Sequence, residues 1–219
     1  NRHIYLYPLP EELNEKDEDL NNRSQFDIDA AHSRYGLDIS GPEIGNFDAS
    51  AMIEGDFVGN GDVDSYFRLR HAFISLSGEN WTFLGGQTWH PLFVTDNYPG
   101  TVNVNAGAPF HPIIRSPQIR ITRNISATAR LSFVIIDQNN FRNTGYGSNS
   151  TEEALFPELD ARLKWKTQGI FVALTGGIKT QAVPRGIAGS VPSEKVRSSH
   201  FSASFRYTLP GFIFRMEGI

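Results

Sequence analysis

The chain has 219 residues, 20 Lys plus Arg against 24 Asp plus Glu, a formal net charge of −4 and no Cys. That excludes a disulfide scaffold and any cysteine-based zinc or thiol chemistry, and the mild acidity argues against a dedicated nucleic-acid binder, so no nucleic-acid partner is expected. No stretch approaches 18 consecutive apolar residues, which rules out a membrane helix but not a membrane β-barrel, whose strands are polar at every second position. The chain opens on Asn1-Arg2-His3, without Met or an apolar leader, and stops at Phe212 to Ile219 inside an alternating run. Residues 1–219 are therefore expected to be part of a single domain of a longer protein, lacking both of its ends.

Period 2 dominates in chain order. Phe26, Ile28 and Ala30 alternate with polar residues, and the parity then flips to Tyr35, Leu37 and Ile39, which predicts a β-bulge at Ala30-Ala31. Ala49, Ala51, Ile53, Gly55 and Phe57 form the next apolar set, interleaved with Asp48, Ser50, Glu54 and Asp56. Through Phe67–Leu76 and Trp81–Trp89 the parity is less clean. It returns in Leu131, Phe133 and Ile135, in Leu159, Ala161, Leu163 and Trp165, and in Phe201, Ala203, Phe205, Tyr207 and Leu209. Each is the pattern of a strand with one apolar and one polar face. About ten strands are predicted, near 24–40, 47–58, 66–77, 81–90, 117–124, 126–137, 158–168, 170–181, 196–209 and 212–219.

The connections alternate in length. Gly41–Gly45, Gly78–Asn80, Asn124-Ile125, Gln168-Gly169 and Pro210-Gly211 are short, whereas 58–65, 91–116, 138–157 and 182–195 are long and mostly polar. Tight turns at one end and large loops at the other are the layout of a transmembrane up-and-down antiparallel β-barrel. A soluble β-sandwich has less reason to collect its long loops at one end. Phe47, Trp81, Phe171 and Phe212 follow short turns, while Trp165 and Tyr207 precede them, as members of an interfacial aromatic girdle would.

Four short motifs then occur in order: Ser33-Arg34-Tyr35-Gly36-Leu37, Ile53-Glu54-Gly55-Asp56-Phe57-Val58-Gly59, Phe67-Arg68-Leu69-Arg70-His71-Ala72-Phe73, and Gly85-Gly86-Gln87-Thr88-Trp89-His90-Pro91-Leu92-Phe93. Together they resemble the N-terminal half of Gram-negative outer-membrane porins of the DcaP-like type. The resemblance covers about 33–93 well and continues weakly through Pro117-Gln118-Ile119-Arg120. It implies a homotrimeric barrel of roughly sixteen strands in the outer membrane, in contact with lipid and lipopolysaccharide, passing small hydrophilic solutes without cofactor or catalysis. It also places 91–116 where many general porins fold a loop into the lumen. That segment is unusually apolar for a solvated loop, and Asp96, Tyr98, Phe110, His111 and Arg115 are its expected constriction residues.

In such a barrel the polar faces line the pore, because a charge on the lipid side at mid-depth costs about 2–4 kcal/mol. Arg34, Arg68, Arg70, Arg120, Arg130 and Arg162, opposed by Asp48, Glu54 and Asp56, are the expected selectivity residues. Fixed guanidinium groups suit carboxylate-bearing or other anionic solutes. The triplet Arg68, Arg70 and Arg120 is the first choice among them, since its strands flank the long apolar loop. The bland alternative for each arginine is an internal ion pair that only holds the wall. Asn60, Asp62 and Asp64 offer oxygens at alternate positions, but no distal Glu completes a calcium loop, so a solvated turn is expected there. No metal is expected, and the six histidines have no metal-ligand spacing. No Gly-x-Ser-x-Gly elbow is present, and an enzyme is not expected. Two other functions remain open: a soluble carbohydrate-binding sandwich, and a non-conducting structural or secretion-associated barrel.

Overall fold

A computed structural model describes residues 10–22, 30, 32–58, 66–98, 113–137, 156–184 and 192–219. Ten strands form one sheet in the order in which they occur along the chain. They are β1 (Arg34–Ile44), β2 (Phe47–Asp56), β3 (Arg68–Ser77), β4 (Trp81–Trp89), β5 (Arg115–Asn124), β6 (Ala129–Ile136), β7 (Glu158–Lys166), β8 (Ile170–Pro184), β9 (Pro192–Leu209) and β10 (Phe212–Gly218). Neighbours from β3 to β10 pair antiparallel. This is the all-β, up-and-down arrangement that the alternating periodicity predicts. The chain divides into two compact units, Asn1–Tyr35 with Gly55–Arg68, and Gly36–Glu54 with Leu69–Ile219.

In the first unit, edge-to-face contacts link Tyr35 to Phe57 and Phe57 to Phe67, both with ring centroids 5.6 Å apart. Gly55 leaves the space that the Phe67 ring occupies, since a Cβ there would fall 2.1 Å from it. The bulge expected at Ala30-Ala31 involves Ala31 and the run before Ala30, which lie outside the described residues. Ala30, His32 and Ser33 lie outside any strand, and the Ser33 N–H donates to the Ala30 carbonyl at 2.9 Å. Strand β1 begins at Arg34.

In the second unit the registers stack residues of one kind into rows across the sheet. One row runs Ser77, Thr82, Thr122, Ser132, Arg162, Thr175 and Ser202. The adjacent row, pointing to the other face, runs Leu76, Phe83, Ile121, Phe133, Ala161, Gly176 and Phe201. A period of two along each strand, held in register over seven strands, gives a sheet that is polar on one face and apolar on the other. The apolar face is open: Phe133 is 59% exposed and Phe201 60%. The polar face is the buried one, with Ser132, Arg162, Thr175 and Ser202 all occluded. Burial is thus inverted relative to a water-soluble sandwich, where the apolar faces would be covered.

Three details depart from the expected layout. The Ser126 hydroxyl accepts from the Thr128 and Ala129 N–H groups, so the β5–β6 turn is wider than two residues and β6 starts at Ala129. Of the stretch 182–195, expected as a long loop, 185–191 lie outside the described residues, and the rest is strand: β8 and β9 stay paired as far as Pro184 and Pro192, with an irregularity at Val183/Pro184. Phe171 is not in the aromatic girdle, because it points to the polar face and is 1% exposed. Trp81, Trp165, Tyr207 and Phe212 do remain exposed, as a girdle requires.

The blurred parity of β3 and β4 also has a cause. Gly86 sits at φ +129°, and a Cβ on it would come within 2.2 Å of the Ala72 carbonyl oxygen and 2.6 Å of the Phe73 Cα. Backbone contacts this close cannot relax by side-chain movement. Gly45 in the β1–β2 turn also has positive φ, at 62°, but open space where its Cβ would be. Gly86→Ala is therefore expected to cost well over the ~1–2 kcal/mol expected for Gly45→Ala. Folded fraction of each variant after refolding in detergent, read by heat-modifiable gel migration, checks that order.

Candidate functional site

The chain leaving β4 turns onto the polar face instead of away from it. Pro91 is fully buried, and its carbonyl accepts from Arg162 Nη1 of β7 at 3.3 Å and from Thr175 Oγ1 of β8 at 3.4 Å. Val94, with no exposed surface, packs with Phe171 and Ala173 of β8 as a small apolar cluster. Removing one such side chain from water contributes about 1.5–3 kcal/mol, which is why Phe171 and Ala173 stand on a mostly polar face beneath Val94. Thr95–Asn97 forms a single 3₁₀ turn. From it the Asp96 carboxylate accepts from Lys164 Nζ of β7 at 2.6 Å, the Asp96 carbonyl accepts from Arg206 of β9, and Asn97 Nδ2 donates to the Met216 carbonyl of β10 at 3.1 Å. The segment Pro91–Asn97 thus crosses four strands, fastened to each.

Its origin is held as firmly. Arg120 donates through Nη2 to the Trp89 carbonyl at 2.7 Å and through Nε and Nη2 to Gln118 Oε1 at 3.1 and 2.6 Å. Gln118 Nε2 in turn donates to the carbonyls of Thr88, Trp89 and Ser116. Phe93 stacks on Trp89 with centroids 4.3 Å apart and touches Tyr98 at 5.4 Å. Arg115 lies 4.0 Å over the Trp89 ring. Burial raises the Asp96 carboxyl, but the hydrogen bond from Lys164 and the charges of Lys164, Lys166 and Arg162 outweigh it and hold the group below its ordinary value.

The residues singled out by sequence separate into distinct roles. Arg68 forms a two-point pair with Asp56, Nε to Oδ1 at 3.0 Å and Nη2 to Oδ2 at 2.8 Å. Arg70 pairs with Glu54 at 2.5 Å. Two arginines of the favoured triplet are thus engaged in ion pairs, while the third, Arg120, braces the loop origin. Arg162 sits beneath the crossing segment. Arg130 faces the same side, opposite Lys164, and is exposed, as are Arg34 and Asp48. Asp96 and Tyr98 belong to the crossing segment and Arg115 to the start of β5. Phe110, His111, Asn60, Asp62 and Asp64 lie outside the described residues.

Sequence spacing missed one constellation. His90, from the start of the crossing segment, reaches Glu158 of β7, Nε2 to Oε1 at 2.9 Å. His200 of β9 reaches Asp160 Oδ1 at 3.0 Å and Glu158 Oε1 at 3.6 Å. The partners come from three separate stretches of chain, so no local motif announces them. The alternation of Glu158 and Asp160 on one strand face was the only signal.

No protein-family model and no curated protein matches the chain. Solved structures do match its fold. The outer-membrane channel DcaP of Acinetobacter baumannii superposes with a TM-score of 0.63 at 20% identity, covering 82% of this chain and 48% of that one. A loop-deletion mutant of OmpT, an outer-membrane protein of Vibrio cholerae, gives 0.55 at 14% identity, covering 85% and 59%. The chain therefore has the fold of about half of an outer-membrane barrel, as its motifs implied.

The Lys164–Asp96 contact should be worth about 0.5–1 kcal/mol, since both side chains keep some water contact. A double-mutant cycle with Lys164→Ala and Asp96→Ala, read as hydrogen exchange at the Asn97 amide, checks this. Because Asp96 is depressed in the folded chain, its contribution is complete above the ordinary carboxylate value of about 3.9 and fades as pH falls through its lower folded value. Protection of the Asn97 amide, taken relative to its intrinsic exchange rate at each pH, is expected to fall only on that acid side, and Asp96→Asn should abolish that fall.

Proposed function

We propose that the chain is part of a passive outer-membrane porin that admits small hydrophilic, preferentially anionic or carboxylate-bearing solutes through a charged, water-filled pore. The observation that carries this reading is the segment Pro91–Asn97 pinned across the polar face of a sheet whose apolar face is bare. A sheet of this kind satisfies two media at once, hydrocarbon against Phe133 and Phe201 and water against Arg162 and Lys164. Irregular backbone on the water side narrows the passage without meeting lipid. The channel named for the DcaP structure supports the same function here.

The anion preference rests on the charge on the polar face. From β5 to β9 it carries Arg120, Arg130, Arg162, Lys164, Lys166, Lys179 and Arg206 against Glu158 and Asp160, with Asp96 laid on it by the crossing segment. An excess of fixed cations raises the local concentration of anions and lowers their entry barrier. Since the chain spans about half the length of the structures it resembles, the reading applies to the whole barrel of which it would be a part. Homotrimeric assembly, with lipid and lipopolysaccharide around it, belongs to the same proposal, and the mass of the detergent complex tests it.

The decisive measurement is conductance of the full-length protein in a planar bilayer. Stepwise channels more permeable to chloride than to potassium are expected. Removing Leu92–Tyr98 should raise unit conductance, because the strap then no longer occupies the lumen. Arg130→Glu reverses an exposed charge that makes no hydrogen bond or ion pair among the described residues, and should shift the permeability ratio toward cations by about twofold, the effect of ~0.5 kcal/mol at a screened site. A folded barrel without conductance would leave the structural or secretion-associated function instead.

A further inference from the structure

We propose that His90, Glu158, Asp160 and His200 form a binding site for a first-row divalent transition-metal ion, zinc being the type case. A donor set of two imidazoles and two carboxylates suits Zn²⁺ and its neighbours in the series, and suits Mg²⁺ or Ca²⁺ poorly, since those prefer oxygen alone.

The geometry is already close to what an ion needs. Tetrahedral zinc, with bonds of about 2.0–2.2 Å, sets its donor atoms roughly 3.3–3.6 Å apart. His90 Nε2 and Glu158 Oε1 are 2.9 Å apart, His200 Nε2 and Asp160 Oδ1 3.0 Å, and His200 Nε2 and Glu158 Oε1 3.6 Å. One ligand atom from each of His90, Glu158 and Asp160 falls within 4.8 Å of the others. For the three contacts just given, the donors need to part by at most a few tenths of an ångström, with His200 joining the closer set of His90, Glu158 and Asp160 from the side of the two carboxylates.

Two independent features mark the place as a site. Asp160 Oδ2 is buried without a hydrogen-bond partner among the described residues, on a side chain with no exposed surface. A buried carboxylate oxygen left in that state costs free energy that a cation would recover. Gly177 lies opposite both Asp160 and His200 in the ladder. A Cβ there would stand 1.9 Å from Asp160 Oδ1 and 2.5 Å from His200 Nε2, so the absence of a side chain is what lets these groups converge. A cavity of about 200 Å³, lined by His90, Glu158, Lys179, Ser198 and His200 among others, adjoins the cluster and gives an ion and its waters a way in.

Two forces oppose the ion. Lys179 lines the same cavity, and Arg120 and Arg162 act on Asp160 electrostatically. These cations weaken attraction for a bare charge and so favour a metal that gains from covalent character with imidazole over one held by charge alone. The Leu92 N–H also donates to His90 Nδ1 at 3.2 Å, which leaves the Nε2 proton directed at Glu158. Ligation at Nε2 requires the ring's single proton to move from Nε2 to Nδ1, so the Leu92 contact is given up. Metal binding is therefore coupled to the first residues of the crossing segment.

The inference stands apart from conduction, because its test measures ion binding alone. Full-length protein, folded in detergent and freed of metal with EDTA, is titrated calorimetrically with zinc chloride, magnesium chloride and calcium chloride. One zinc per chain is expected, with micromolar or tighter affinity and no comparable heat from magnesium or calcium. Asp160→Asn and His200→Gln should each weaken zinc by about tenfold or more. Gly177→Ala, which keeps all four donors and fills the space between them, should do the same. Heat-modifiable gel migration confirms that each variant is folded. Absence of a saturable zinc isotherm in the unaltered protein overturns the proposal. So does unchanged affinity in folded Asp160→Asn and His200→Gln, which would assign the binding to other histidines.

Discussion

Everything in the sheet depends on register. Alternation along one strand gives two faces, but only pairing in step over many strands turns two kinds of residue into two kinds of surface. Between β3 and β9 the rows beginning at Ser77 and Leu76 stay in step without a slip. A shift of one residue in β6 would put Arg130 and Ser132 among Leu163 and Ala161, and Phe133 among the polar groups. The cost of such a slip falls on several side chains together, which is what makes the arrangement unique. Gly86 is the price of one local exception: where β3 and β4 approach most closely, the chain gives up a side chain to keep the rows aligned.

The crossing segment follows from the same constraint. A polar face that merely met water would need no buried apolar residue, yet Val134, Ile136, Phe171 and Ala173 point that way and are occluded. Phe171 and Ala173 form the seat for Val94, while Arg162, Thr175, Arg206 and the Met216 carbonyl supply polar contacts along the segment. The division of labour is physical. Apolar contact fixes where the segment sits, and hydrogen bonds to its carbonyls leave few backbone groups unpaired in a narrow, partly dry space.

How far this could be read from the chain depends on distance along it. Strand existence, alternation and the short turns are local properties, and Leu131, Phe133 and Ile135 showed their side of the sheet without any structure. Phe171 was misassigned because an aromatic next to a turn looks the same whether it meets lipid or Val94. Three of the contacts that make the site join residues 68 to 119 positions apart: His90–Glu158, Lys164–Asp96 and Asn97–Met216. No periodicity encodes which rows of distant strands coincide. The arginines show the limit most plainly. Sequence placed Arg68, Arg70 and Arg120 together by charge and position, but only coordinates distinguish a guanidinium closed on Asp56 or Glu54 from one bracing a backbone carbonyl.

The distribution of these contacts decides what kind of obstruction the segment is. A lid fastened at one end swings, and its open state costs only the contacts at its tip. Here the origin is braced by Arg120 at Trp89 and by His90 at Glu158, the middle is seated through Val94 and Lys164, and the far end is tied to β10 through Asn97. Lifting the middle would break contacts to β7, β8 and β9 together, so partial opening gains little and loses much. A strap of this kind behaves as part of the wall. Within it Lys164 and Arg206 are both held against Asp96. The one joint where a small chemical change could alter its path is the first, at His90, because there the segment is held by a side chain with more than one bonding state.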